Sequence, residues 1–391
     1  MIQTASRETN SLMVEQRAFS QSMASCLFLA IISWIPDCCS SRSLAEPPQD
    51  SSVTSEAWIR SLGGRVGHDA TGAITSVDLR NAWLTDSDLK KISKLTALET
   101  IDLAYTKVTD EGLEQLKPLA NVRTLNLHYA EYVTDTGIAH LKHWTQLAHL
   151  DLRGTKVTST LFEHVVHMVS LRSLDVGFSR VNDDSFERLS ELPNLAKFSF
   201  GGNKMSGTAL PLLKLLPKLR ELSVGGQQRT DSGLWSVNVS DFNVGNIADI
   251  SDLRVLDLSG TAITDRGVSQ LSRLKHLESL NLSRTNATSK GITALSGILS
   301  LRHLKLGQSA KLDDSVLIAC QNFENLEVLE LQETTITFEG LTKFSPKSTL
   351  KKIFIGGVSL TPEQVDTLRL GLPNCFVSWW PKAEIATEER L

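Results

Sequence analysis

Residues 99–116 read ETIDLAYTKVTDEGLEQL, and the phrase returns as RTLNLHYAEYVTDTGIAHL from Arg123, AHLDLRGTKVTSTLFEHV from Ala148 and RVLDLSGTAITDRGVSQL from Arg254. Each copy opens on an apolar–any–apolar triplet, passes two variable residues and a small polar one, and reaches Thr-Asp or a relative of it at the head of a helical run. The first apolar residue of each triplet gives Val77, Ile101, Leu125, Leu150, Leu174, Phe198, Leu222, Leu256, Leu280, Leu304, Leu329 and Ile353, with Cys375 as a thirteenth. The steps are 24 or 25 residues, apart from one of 34 after Leu222 and a last one of 22. Self-similarity of this period overrides the two or three globular domains that 391 residues would otherwise suggest. It predicts a single solenoid in which every repeat supplies one strand and one helix and leans only on its neighbours.

Alternation along each strand puts the two apolar residues inside and the residue between them outside. The outward column is then Asp78, Asp102, Asn126, Asp151, Asp175, Ser199, Ser223, Asp257, Asn281, Lys305, Glu330 and Phe354. Just beyond the strands, Thr106, Thr155, Ser179, Asn203, Thr261, Thr285, Ser309 and Thr334 offer side-chain oxygens where the chain turns off the sheet. Their expected task is structural, because a buried turn must satisfy its backbone groups. Thr85-Asp86, Thr109-Asp110, Thr134-Asp135, Thr230-Asp231 and Thr264-Asp265 stand where helices should begin, with a hydroxyl to cap amides and a carboxylate suited to the positive helix end. The long step is read as an insertion at about 237–246, after Trp235, emerging as a loop.

The ends need closing, since a terminal repeat exposes apolar surface that a neighbour would cover. Residues 53–76 suit an N-terminal cap: a helix with Trp58, Ile59 and Leu62, a stop at Gly63-Gly64, and a hairpin turning through 69–72. Repeats follow over 77–360, and 361–391 form a C-terminal cap and tail in which Trp379 and Trp380 lie over the core. Cys320 and Cys375 fall at interior positions too far apart for a disulfide and read as small buried hydrophobes.

Residues 1–45 do not repeat. Arg17 precedes the apolar run Cys26–Ile35, and Ser43-Leu44-Ala45 offers the small residues of a cleavage site. The run is too short to span a bilayer, which takes roughly 20 apolar residues, so the segment is expected to be a signal peptide or a disordered leader, followed by a linker at 46–52. Translation starting at Met13 or Met23 would shorten the leader. The mature chain is expected to be exported to the periplasm, cell surface or medium, with no transmembrane segment.

With Thr in place of the subclass cysteine, these repeats resemble the cysteine-containing leucine-rich repeats best known from F-box proteins. The GGRV stretch from Gly63 and the closing LPNC from Leu372 are similar to exported planctomycete repeat proteins. The resemblance implies an α/β leucine-rich-repeat solenoid of about twelve repeats, a right-handed horseshoe with its parallel sheet concave and its helices convex. It also implies a surface for gripping another macromolecule. An F-box adaptor of a ubiquitin ligase would need a helical domain before the repeats, for which 46–53 leaves no room.

Net charge is −4 with both signs interspersed, which excludes a nucleic-acid binder relying on a basic field. There is no GxSxG, P-loop, HExxH or Cys-x-x-Cys, and acids on an open sheet stay hydrated, with little to shift their pKa. The reading is therefore a non-catalytic, monomeric scaffold that binds a protein partner, with a glycan as the second ligand class and no cofactor. A cell-envelope structural component and a hydrolase of a surface polymer are the alternatives. The candidate patch lies on repeats two to five: Tyr105, His128, Tyr129, Arg153 and Phe178, beside Asp102, Asp151 and His149. Tyr and Arg are over-represented among interface hot spots, whereas the following repeats place Gly201-Gly202 and Gly225-Gly226 there. His140, His143, His164 and His167 recur at matching positions on adjacent helices and are expected to face solvent. As a metal site they are the weaker alternative to plain surface histidines, for want of a carboxylate partner.

Overall fold

Only an apolar–any–apolar triplet can send two side chains into a core and one out, and the strands are that triplet's length. The computed structural model describes residues 51–382; the leader and most of the linker lie outside them. Fourteen strands join in one sheet in chain order, the first pair antiparallel (Arg65–His68 on Ile74–Asp78) and the rest parallel. Register is kept throughout: Ile101 stands opposite Leu125, Leu125 opposite Leu150, and Leu150 opposite Leu174, each nearly inaccessible to solvent. Burying one such side chain contributes about 1.5–3 kcal/mol. Phe162, Phe186, Phe198 and Phe200 thicken this core where the middle repeats stack, with ring centroids 4.9–6.4 Å apart.

The helical layer is thinner than one regular α-helix per repeat. Asp110–Gln115, Asp135–His140 and Asp265–Gln270 are six residues each, and Asp183–Glu191 and Leu210–Leu215 are 3₁₀. What joins these short pieces is a hydrogen-bonded staple. Asp86, Asp110, Asp135, Asp241, Asp265 and Asp314 each accept both the backbone N–H and the hydroxyl of a Thr one repeat on, at 2.5–2.9 Å. The Thr in turn caps its own helix, as Thr109 does for the Glu111 N–H at 3.3 Å. This explains the glycine of the Thr-Asp-x-Gly phrase: a Cβ at Gly137 or Gly291 would stand 2.5 Å from the Asp110 or Asp265 Oδ1. The polar turn column is buried, and Thr106, Thr155, Ser179, Thr261, Thr285 and Thr334 donate to the carbonyl three residues back at 2.6–2.7 Å.

Two positions differ from the sequence reading. The insertion is 227–236, not 237–246: Gln227–Thr230 and Gly233–Ser236 pair as an antiparallel hairpin outside the main sheet, and Leu222 pairs directly with Leu256. Thr230-Asp231 belongs to that hairpin and caps no helix. Asp241 fills the place instead, receiving Thr264, so 237–246 is ordinary repeat. The last strand is Phe376–Ser378, and Val377 pairs with Ile353. The marker is therefore Val377, 24 residues after Ile353, so the period is kept and Cys375 stands half-buried just before the strand. Cys320 and Cys375 are free, and burial pushes the Cys320 thiol up to about 12. Trp379 donates its indole N–H to the Val358 carbonyl, and the Trp380 ring lies where a Gly356 side chain would be. Among the described residues no helix is long and apolar enough to cross a membrane.

Candidate functional site on the N-terminal repeats

The outward column is continuous: Asp78, Asp102, Asn126, Asp151 and Asp175 stand opposite one another strand by strand. One oxygen of each has a backbone task. The Oδ1 of Asp102, Asn126, Asp151 and Asp175 accepts the N–H two residues on, from Ala104, His128, Arg153 and Gly177, at 2.7–3.0 Å. Asp257 and Asn281 do the same in the later repeats. An Asx turn thus ends each of these strands, which accounts for the Asp/Asn preference there without any ligand. In three of them the second oxygen is met by a side-chain nitrogen: Arg80 on Asp102 at 2.7 Å, His128 Nδ1 on Asp151 at 3.3 Å, and Arg153 on Asp175 at 3.9 Å. Burial pushes the Asp175 carboxyl above the usual range and the Asp151 charge adds to this, while the Gly177 N–H and Arg153 oppose it.

Four residues past each buried marker, the backbone is left-handed in every repeat. Gly fills that place at 154, 202, 226, 260 and 357; Asn81, Tyr105, Tyr129, Phe178, Arg284, Gln308 and Glu333 hold it at φ 52–60°. For a side chain with a Cβ this conformation costs roughly 1–2 kcal/mol. Two of the three aromatics that bear it are drawn together, and the third pairs with Arg153. Tyr105 and Tyr129 stack nearly parallel, centroids 5.7 Å apart, and His128 meets both edge-on at 5.3 and 4.9 Å. Phe178 lies under the Arg153 guanidinium at 4.2 Å. The glycines are not vacant spacers, since a Cβ at Gly154 would strike the Tyr129 ring and one at Gly202 or Gly226 the Phe178 ring.

Tyr105, His128, Tyr129, Arg153, Phe178, Asp102 and Asp151 therefore form one surface. His149 does not join the ring cluster: it is exposed one column away, between Thr124 and Ser173. What sequence reading missed is the hairpin's part. It returns over the same repeats, Gln228 donating to the Gly202 carbonyl at 2.8 Å and Trp235 to the Ser232 hydroxyl at 2.9 Å. Between it and the solenoid edge lies a cleft of about 490 Å³, lined by Phe178, Lys156, Arg180 and Glu131 on one side and Gln228, Asp231 and Trp235 on the other. The turn residues Asp231-Ser232-Gly233 between two short polar-apolar runs were the available signal.

The histidines separate by exposure: His143 and His167 are exposed, His140 and His164 half-buried. His143 Nε2 lies 2.8 Å from the Lys117 carbonyl. Among the described residues no three His, Cys, Asp or Glu converge as a metal site.

The leucine-rich-repeat family profile matches residues 94–117 and 251–272. Among curated proteins the sequence finds no match. Among solved structures, the crystal structure of an internalin (InlF) from Listeria monocytogenes is similar, with a TM-score of 0.53 at 17% identity over 88% of this chain and 93% of that one. At that identity the likeness concerns the fold. Period, strand register and structural neighbour agree on it: the chain folds as a leucine-rich-repeat solenoid.

Proposed function

We propose that this chain is a non-catalytic, exported, monomeric scaffold that binds a protein partner through the sheet face of repeats two to five. The observation that carries the reading is the aromatic column: Tyr105, Tyr129 and Phe178 occupy the left-handed position that five other repeats give to glycine and the rest to polar residues. Stacked tyrosines beside an Arg–aromatic pair at this surface suit an interface anchor, where the later repeats have polar side chains that satisfy one another. The Asp column supports binding over turnover, since its oxygens are committed to backbone N–H groups and to Arg80, His128 and Arg153. Rigid stacked strands would hold this surface in place before association, limiting the entropy lost on binding. The Thr-for-Cys repeat phrase supports a place in the cysteine-containing subclass, and the apolar run at 26–35 supports export.

The test is affinity capture from cell-envelope extract by the full chain and by a Tyr105→Ala, Tyr129→Ala, Arg153→Ala variant matched for thermal stability. The reading expects a specific captured protein to be lost from the variant. Unchanged capture of that protein would overturn it.

A further inference from the structure

On the sheet face, cations and carboxylates are matched. The edge where strands begin is matched in the same way over its C-terminal part, with Arg254 on Glu278 and Arg302 and Lys351 on Glu327. The edge where the chain leaves the sheet is different. Just before the buried residue that follows each turn stand Trp83, Lys107, Tyr132, Lys156, Arg180 and Lys204, one per repeat. Lys107 and Lys156 lie over the Trp83 and Tyr132 rings at 5.1 and 5.2 Å. Among the described residues no carboxylate comes within 4.0 Å of any of these four cations. Arg229 on the hairpin is a further exposed cation, while Glu131 and Asp231 line the cleft. In a chain of net charge −4, this edge thus gathers four cations with no carboxylate within 4.0 Å. The same position in the later repeats holds Ala262, Asn286, Lys311, Thr335 and Ser359.

We propose that this edge, from Trp83 to the hairpin, docks an acidic, extended peptide segment of the partner. Its carboxylates meet Lys156, Arg180 and Lys204, and its chain lies in the cleft against Gln228 and Trp235. The inference rests on the binding-scaffold reading and deepens it. An extended peptide keeps alternate side chains about 6.7 Å apart on one side, while neighbouring repeats are about 4.8 Å apart, a mismatch that flexible Lys and Arg side chains absorb. Glu131 and Asp231 decide the class of ligand. They would repel a uniform polyanion, such as a nucleic acid or a sulfated glycan, but can accept from the N–H groups that a peptide brings with its acids.

The experiment is fluorescence anisotropy of the full chain with a labelled Glu-Gly repeat peptide and its Gln-Gly counterpart. The Glu peptide is expected to bind at least about tenfold more tightly, with a preference that shrinks as salt is added. Lys156→Ala with Arg180→Ala should remove most of that preference. Arg172→Ala with Arg220→Ala, an equal charge change on the opposite edge, should leave it intact. Deleting residues 227–236 should weaken binding severalfold while thermal unfolding stays unchanged. Equal binding of the two peptides, equal losses in the two double variants, or tighter binding of heparin through Lys156 and Arg180 would each overturn the proposal. Because the sheet-face reading is tested on Tyr105, Tyr129 and Arg153, failure of one remains distinguishable from failure of the other.

Discussion

The repeats marked by Ile101, Leu125, Leu150 and Leu174 and those marked by Leu256, Leu280, Leu304 and Leu329 share one backbone and finish it differently. Both sets have the Asp–Thr staple, the buried turn hydroxyl and the left-handed residue. In the later set that residue is Arg284, Gln308 and Glu333 in successive repeats, and these satisfy one another: Arg284 donates to Gln308, and Gln308 to Glu333. In the earlier set it is Tyr105, Tyr129 and Phe178, whose rings lean on His128, Arg153 and the neighbouring glycines, with Tyr105 half exposed. Equal strain thus yields a closed polar ladder at one end and an aromatic surface with a free face at the other. The scaffold tolerates either, so the difference is one of surface chemistry rather than of folding.

The staple offers the largest test of that separation. Asp110→Ala and Asp265→Ala each remove two acceptor contacts to the following Thr, and each should cost about 2–3 kcal/mol by chemical denaturation. Because the geometry is the same at both ends, the two losses should agree to within about 1 kcal/mol, so far as context permits. A loss confined to Asp110 would mean that the N-terminal repeats rely on a different scaffold, and the comparison would fail.

Smaller effects are expected at the left-handed position. In Tyr105→Gly, relief of backbone strain is set against loss of the Tyr129 stack, worth about 0.5–1.5 kcal/mol, so stability should stay within about 1 kcal/mol of the parent. Gln308→Gly trades strain against exposed hydrogen bonds with the same small net change. Binding should divide them: capture of the partner falls at least about tenfold for Tyr105→Gly and is untouched for Gln308→Gly. Destabilisation beyond about 2 kcal/mol by Tyr105→Gly would recast the aromatic column as packing.

Much of this was legible in the chain. The 24-residue period placed every strand marker from Val77 to Ile353, and the outward column follows from alternation alone. The hairpin was misplaced by ten residues because Thr230-Asp231 imitates the helix-start phrase, while the working residue, Asp241, follows Ser rather than Thr. Its 24-residue distance from Asp265 was the clue, since a staple must keep the period. The left-handed column was not foreseen, though Gly154, Gly202, Gly226 and Gly260 recur in phase with it. Contacts such as Phe178 against Gly226, two repeats away, have no sequence signature: they depend on how far a ring reaches across stacked backbones.

The smallest effect concerns a single charge. Asn281 shows that the outward column can do its backbone work neutral, accepting the Ser283 N–H at 3.0 Å just as Asp175 accepts that of Gly177. Asp175 stands in a site where burial, and after it the Asp151 carboxylate, raise its pKa above the 3.8 of a free aspartate. In the window above 3.8 the folded chain holds this proton more firmly than the unfolded chain, so its contribution to stability falls as pH rises and the penalty is complete above the folded-state value. Asp175→Asn should therefore raise the unfolding midpoint slightly at pH 7, with the gain fading as pH drops toward 4. If Asp175→Asn changed the unfolding midpoint equally at pH 4 and pH 7, burial and the Asp151 charge would not be raising the Asp175 pKa. If Asp175→Asn also spared partner binding, that charge would be incidental to the interface, leaving Arg153 to act through Phe178 alone.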